Sequence, residues 1–92
     1  MTEAEFHAHL ARDGYAEAAI VEMEPSAQIA AHEHDFDASV YVLSGKISVT
    51  TADGQTTTCG PDDTFALTAG TSHTEEIGAD GVRFLAGRRQ PA

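Results

Sequence analysis

Basic residues are scarce in this sequence. Five lysines and arginines stand against 15 aspartates and glutamates, so the formal net charge of the 92 residues is −10. Proteins that bind nucleic acid present a basic face to the phosphates, and this composition does not favour one. The longest apolar runs also fall well short of the roughly 20 residues that a membrane-spanning helix needs. We therefore expect neither a nucleic-acid partner nor a membrane.

Cysteine is also scarce, since Cys59 is the only one and cannot form a disulfide within the chain. The N-terminus is acidic and lacks the basic and then apolar start of a secretory signal. Both observations favour a cytoplasmic location. A chain of this length predicts a single domain over residues 1–92, with a core small enough that we expect a homodimer.

One short helix is predicted at the N-terminus, within residues 1–14. Thr2 and Glu5 have the spacing of a capping box, in which each side chain accepts a hydrogen bond from the other residue's backbone. Phe6 and Leu10 lie four residues apart and therefore share one face of a helix.

The helical period disappears after residue 14, and short apolar segments alternate with turn residues over residues 15–90. Asp53-Gly54 is the strongest hairpin signal among these turns. The predicted strands cover residues 18–23, 28–34, 39–43, 46–51, 55–59, 64–67, 73–77 and 82–86. Many short strands at regular spacing indicate an all-β sandwich or barrel.

Two histidines stand out on the second predicted strand. Successive side chains on a strand alternate between its faces, so His32 and His34 project to the same side, about 6.6 Å apart at their Cα atoms. Gln28 shares this face, and we expect it in the same pocket as the histidines. Two imidazoles so placed can lean toward one shared ion.

With this strand order in place, the sequence resembles a small single-domain cupin, an RmlC-like jelly-roll barrel also called a double-stranded β-helix. Two motifs carry the resemblance, a His-x-His pair followed by a glycine, and an aspartate followed by Gly-x-x-His. The matching residues are His32, His34 and Gly45 in the first motif and Asp63, Gly70 and His73 in the second.

The resemblance implies that His32, His34 and His73 converge inside the barrel on one divalent metal ion, which in such proteins is iron, nickel, zinc, copper or manganese. The alternative is that the three histidines line a pocket that holds no metal. Imidazole is a suitable ligand for several of these ions, so the ligand set leaves the identity of the metal open.

The sequence departs from the family pattern at Ala38, which stands seven residues before Gly45, where the family has a metal-binding glutamate. Asp37 faces away from the histidines if the strand is unbroken, and a bulge there would change this. Phe36 is expected to face inward beside the histidines and, together with Ala38, to line the pocket.

Other side chains are weaker candidates. Glu75 and Glu76 follow His73, and one of them could face the pocket mouth, although solvated charge is the favoured interpretation. Cys59 is expected to be a small buried residue. His7 and His9 point about 200° apart on a helix and cannot share a metal ion.

Three of the five basic residues lie near the C-terminus: Arg83, Arg88 and Arg89. They either line a pocket mouth or pair with surface acids, and solvated charge is again the favoured interpretation. No phosphate-binding loop or nucleophile motif accompanies them.

Two functions remain open from the sequence. The first is a metal-dependent enzyme of dioxygenase, isomerase or lyase type, acting on a small organic acid or similar metabolite. The second is a non-catalytic module that binds or senses a small molecule, with or without metal. A relative of the sugar-sensing domains of transcription regulators is less favoured, because no DNA-binding segment accompanies the barrel in this sequence.

Overall fold

The computed structural model describes residues 1–91. One helix precedes six strands: α1 Glu3–Arg12, β1 Ala19–Met23, β2 Gln28–His32, β3 Asp37–Thr51, β4 Thr56–Cys59, β5 Thr64–Leu67 and β6 His73–Arg89. The prediction of an all-β fold with one short N-terminal helix is confirmed. Within residues 1–91 no helix has the length and apolarity to cross a bilayer.

The N-terminal helix begins with the predicted capping box. The Thr2 hydroxyl accepts a hydrogen bond from the backbone N–H of Glu5, and the Glu5 carboxylate accepts one from the N–H of Thr2. Phe6 and Leu10 are completely or almost completely buried. They pack on side chains of β3 and β6, so the helix covers the outer face of these strands.

The two long strands, β3 and β6, form the frame of the sheet. All pairings are antiparallel: β6 pairs with β1, β2 and β3, while β3 also pairs with β4 and β5. Along β3 the side chains alternate between two cores. Val40 and Val42 join the interior cluster with Ile47 and Phe84, whereas Tyr41 joins the cluster under the helix.

The structure corrects two predicted turns. Residues 39–51 were expected to reverse direction at Ser44-Gly45, and residues 73–86 at 78–81, but each segment belongs to one continuous strand. Gly45 and Gly81 have φ angles of +80° and +78°, and the register between β3 and β6 shifts on either side of Gly45. A Cβ atom on Gly45 would collide with the carbonyl oxygen of Gly81. These glycines therefore bend two long strands against each other at bulges.

Candidate metal centre

Three histidines, from two neighbouring strands and the segment that follows one of them, meet inside the fold. His32 is the last residue of β2 and pairs in register with His73, the first residue of β6, while His34 follows β2 by two residues. One ligand nitrogen from each residue can be chosen so that all three lie within 4.8 Å of one another. The structure thus brings together the three side chains that the sequence singled out.

Backbone carbonyls fix the orientation of two of these rings. Nδ1 of His32 donates to the carbonyl oxygen of Ala30 at 2.8 Å, and Nδ1 of His73 donates to that of Thr71 at 2.9 Å. A carbonyl can only accept, so the proton sits on Nδ1, and the lone pair of a neutral ring is on Nε2. Such contacts to the second nitrogen are typical of metal-ligating histidines.

The most informative atom is Nε2 of His73. The residue is 2% exposed, and within residues 1–91 this nitrogen has no hydrogen-bond partner. Buried polar atoms almost always have a partner, so an unpartnered lone pair calls for an explanation. A divalent metal ion coordinated at this nitrogen fits the donor set, because imidazole nitrogens suit zinc, copper, iron and nickel.

The environment of His34 favours its neutral form. Burial lowers the pKa of its imidazole, and the nearby rings of His32 and His73 lower it further, because a second positive charge in the cluster is repelled. A neutral imidazole is the form that binds a metal ion. His34 therefore offers a lone pair rather than a proton near neutral pH.

The histidines open into a cavity of about 220 Å³ inside the barrel. Phe36 and Ala38 are among the residues that line it. The Phe36 ring stacks on that of His34, with centroids 4.7 Å apart. Ala38 is small and leaves space beside the histidines.

Gln28 was expected in this pocket, and that prediction was wrong. The register between β2 and β6 shifts between Ile29 and His32, and a register shift changes which residues share a face. As a result Ile29 lines the cavity and Gln28 is exposed. β2 ends at His32 rather than at the predicted residue 34.

A carboxylate does lie beside the histidines, but it does not come from Asp37, the acidic neighbour of Ala38. Asp37 accepts hydrogen bonds from the Arg89 guanidinium at 3.0 Å and from the backbone N–H of Ala69 at 2.9 Å, and it does not line the cavity. Glu75 is 8% exposed, lines the cavity, and its Oε1 lies 3.9 Å from Nε2 of His32. Solvated charge was the wrong interpretation for Glu75.

The sequence did contain a signal for Glu75. It follows His73 by two residues on one strand, so the two side chains share a face. Composition made the solvated interpretation more attractive, because acidic residues are frequent in this chain and are seldom buried. The two-residue spacing from His73 predicts the position of the Glu75 side chain correctly, whereas composition does not.

The three C-terminal arginines divide between the two predicted roles. Arg83 pairs with Glu22 and Arg89 with Asp37. Arg88 lines the histidine cavity, and its guanidinium carbon lies 4.4 Å from the centre of the Phe36 ring.

The remaining candidates lie outside the cavity lining. His9 bridges α1 and β3: its Nδ1 contacts Asp13 at 2.6 Å, and its Nε2 lies 3.0 Å from the buried Ser39 hydroxyl. His7 is exposed beside Glu3. Cys59 is buried as expected, and burial raises the pKa of its thiol.

An antiparallel β barrel with a histidine cluster in its interior is the architecture of the cupin class of jelly rolls. The chain belongs to the cupin family, because the family model described as "Cupin domain" matches residues 19–85. No curated protein sequence matches the chain.

Solved structures support the same fold. The cupin domain of Schizosaccharomyces pombe Cnp3 is 23% identical with a TM-score of 0.71, and the match covers 84% of this chain and 60% of that chain. A DUF861 family protein from Thermotoga maritima is 21% identical with a TM-score of 0.69, covering 92% of this chain and 90% of that chain. A variant of Bacillus subtilis oxalate decarboxylase is 21% identical with a TM-score of 0.68, covering 79% of this chain but 20% of that chain.

Proposed function

We propose that the protein binds one divalent transition-metal ion through His32, His34 and His73, and holds a small molecule beside it in the adjoining cavity. The observation that carries the proposal is the buried, unpartnered Nε2 of His73. The carbonyl contacts of His32 and His73 support it, because they direct two Nε2 lone pairs away from the backbone.

Three protein ligands leave coordination positions open for water or for a bound molecule. The ion would polarise an oxygen atom of that molecule or lower the pKa of a bound water. The donor set is compatible with iron, nickel, zinc, copper and manganese, so metal identity is left to measurement.

The test compares metal content by plasma mass spectrometry in protein purified without added metal and after reconstitution. We expect about one equivalent in the wild type and less than about a tenth of that in His73→Ala, because two imidazoles hold an ion far more weakly than three. His7→Ala is the matched control, since it removes an exposed imidazole outside the cavity.

Circular dichroism checks that each variant is folded. If His73→Ala does not fold, His32→Ala provides a second cavity variant. Wild-type protein that stays below a tenth of an equivalent after reconstitution would refute the proposal. Unchanged metal content in both cavity variants would show that the ion binds elsewhere.

Catalysis and binding alone both remain compatible with this site. Glu75 favours catalysis, because a buried carboxylate beside His32 is a candidate to accept a proton from a bound molecule. The apolar side chains that make up much of the cavity wall favour binding alone, since they provide affinity without chemistry. Titrating a candidate ligand and following its product by mass spectrometry separates these alternatives.

We also propose a homodimer. The edge strand β1 supports it, because β1 pairs only with β6 among residues 1–91 and carries Ile20, whose exposed fraction is 55%. The cytoplasmic location stays a prediction from the sequence.

A further inference from the structure

Arg88 is the only arginine or lysine among residues 1–91 that lines the histidine cavity. Its guanidinium lies over the ring of Phe36, and that ring in turn stacks on His34. Contact with an aromatic face holds the guanidinium at the cavity while leaving its N–H groups available at its edge.

The Arg88 side chain is exposed and has no hydrogen-bond or ion-pair partner among residues 1–91, although the protein is rich in carboxylates. The other arginines have acidic partners: Arg12 with Asp13, Arg83 with Glu22 and Arg89 with Asp37. Within residues 1–91 Arg88 makes neither an ion pair nor a hydrogen bond through its side chain. A guanidinium presents parallel N–H donors that match the two oxygens of a carboxylate, so its complement is an anionic ligand.

The rest of the cavity restricts the ligand further. Its volume of about 220 Å³ is below the usual range for drug-sized molecules, which indicates a compact ligand. Besides Ile29, Phe36 and Ala38, the apolar part of the wall includes Val21, Met23, Val40, Phe65, Leu67, Phe84 and Ala86. This wall favours an uncharged, largely hydrocarbon body.

The two charged side chains of the cavity contact different histidines and favour one orientation of such a ligand. Glu75 lies beside His32, whereas Arg88 reaches the cavity through Phe36 on the His34 side. A carboxylate is attracted to Arg88 and repelled by Glu75. The negative end of the ligand would therefore lie at Arg88, with its body against the apolar wall.

We infer that the cavity binds a small monocarboxylate with an apolar body, whose carboxylate group is held by Arg88. The position of this molecule beside a metal ion rests on the proposed function, whereas its contact with Arg88 does not require the metal. Arg88 is thus assigned as the residue that selects for a carboxylate.

The experiment measures calorimetric affinities of benzoate and butyrate, with benzamide and butyramide as uncharged probes of nearly the same shape. We expect wild-type protein, both metal-free and loaded with Zn²⁺, to bind each acid at least about tenfold more tightly than its amide. Arg88→Gln should lose about tenfold in affinity for the acids while its affinities for the amides and for Zn²⁺ stay within about twofold.

Arg83→Gln is the matched control, because it removes the same charge from the same strand at an exposed position outside the cavity. Arg88→Lys keeps the charge but loses the planar pair of donors, so we expect an intermediate affinity for the acids. An effect of Arg83→Gln equal to that of Arg88→Gln would overturn the inference, because net charge alone would then explain the selectivity.

Equal affinity for acid and amide, wild-type affinity for the acids in Arg88→Gln, or no binding of any probe to the wild type would each overturn the inference. The two proposals fail separately. Protein that takes up no metal but still binds the acids through Arg88 supports this inference against the proposed function. If the histidines bind metal but Arg88→Gln leaves the affinities for the acids unchanged, the proposed function is supported and this inference fails.

Discussion

Glu75 is a carboxylate inside the cavity of a protein whose other acids are mostly exposed. Three neutral imidazoles leave a divalent ion with its full charge, and burying such a charge is costly unless an anion lies nearby. Ala38 provides no carboxylate, whereas Glu75 lies 3.9 Å from Nε2 of His32. In the proposed function the negative charge beside the ion thus comes from Glu75, on the strand that carries His73, and not from the segment that carries His32 and His34.

Glu75→Gln should weaken binding of a divalent ion by about tenfold or more, because the neutral amide keeps the volume of the side chain but not its charge. The measurement is competition with a chromogenic chelator at neutral pH. Glu76→Gln is the control, since it changes the same charge on the adjacent, exposed residue. Equal affinities in the two variants would contradict an electrostatic role for Glu75.

Asp62 has a backbone conformation that is uncommon for a residue other than glycine, since its φ angle is +71°. Aspartate is one of the residues that tolerate this left-handed conformation. Its carboxylate also accepts a hydrogen bond from the Tyr41 hydroxyl, and this bond, with burial, raises the pKa of Tyr41 to about 12.

The bends in the long strands explain how one element reaches the cavity twice. A straight strand from His73 to Arg88 would be about 50 Å long, whereas the longest axis of the molecule is 33 Å. β6 bends where Gly81 meets Gly45. As a result His73 and Arg88, at the two ends of β6, line the same cavity. The element that carries the proposed metal ligand therefore also carries the proposed carboxylate receptor.

The helix is held on the outer face of the sheet by close packing at a glycine. A Cβ atom on Gly87 would lie 2.6 Å from Cδ2 of Leu10, so β6 leaves space for the helix at this position. The hydrogen bond between His9 and Ser39 adds a polar contact between α1 and β3.

Gly87→Ala should destabilise the protein by about 1–3 kcal/mol, because the added methyl group forces Leu10 out of its position. Urea denaturation measures this free energy. Gly60→Ala is the control, since its Cβ atom would lie 4.0 Å from the carbonyl oxygen of Gly45, which is ordinary van der Waals contact.

The Gly87→Ala effect should shrink in a Leu10→Ala background, in which the colliding atoms are gone. An undiminished effect in the double variant would show that the collision is not its cause. If the Gly87→Ala single variant had the same free energy of unfolding as the wild type, the packing explanation would be contradicted.

At the scale of the whole molecule, several carboxylates make favourable contacts in the folded state. Hydrogen bonds to the backbone or to neighbouring side chains lower the pKa of four of them: Glu5, Asp13, Asp37 and Asp53. For Asp37 the main cause is the N–H of Ala69, followed by the Arg89 guanidinium. Its contacts join β3 to the end of β6 and to the loop before His73.

The pH dependence of stability follows from the direction of these shifts. A carboxylate whose pKa is lower in the folded state stabilises the protein above its unfolded pKa, about 3.9 for aspartate. That contribution is lost as the pH falls through the folded pKa. We therefore expect these carboxylates to lower the thermal midpoint as the pH falls below about 4, in addition to the loss that the lowered pKa of His34 causes below its unfolded pKa of about 6.5.

Asp37→Asn tests this dependence at one residue. The variant should unfold at a lower temperature than the wild type at pH 7, and the difference should narrow as the pH falls below about 4. Asp80→Asn is the control, because Asp80 is exposed and makes no ion pair within residues 1–91. A difference that stays constant from pH 7 to pH 3 would contradict the assigned role of Asp37.

The sequence by itself determined the elements that depend on neighbours along the chain. The capping box of Thr2 and Glu5 and the alternation of polar and apolar residues predicted the helix and an all-β fold. The spacing of His32 and His34, with His73 matched through the family motif, predicted the histidine cluster that the structure brings together. These signals are local or belong to the family pattern, so they do not depend on knowing which strands pair.

Only the tertiary structure decided which of the remaining side chains face the cavity. The register shift in β2 places Ile29 rather than Gln28 in the cavity, and β3 and β6 continue through Gly45 and Gly81, where the sequence predicted turns. Alternation along a strand is reliable until a bulge interrupts it, and bulges arise from pairing with residues that are distant in sequence. Burial of Glu75 and the position of Arg88 likewise depend on which strands enclose them, which local periodicity does not specify.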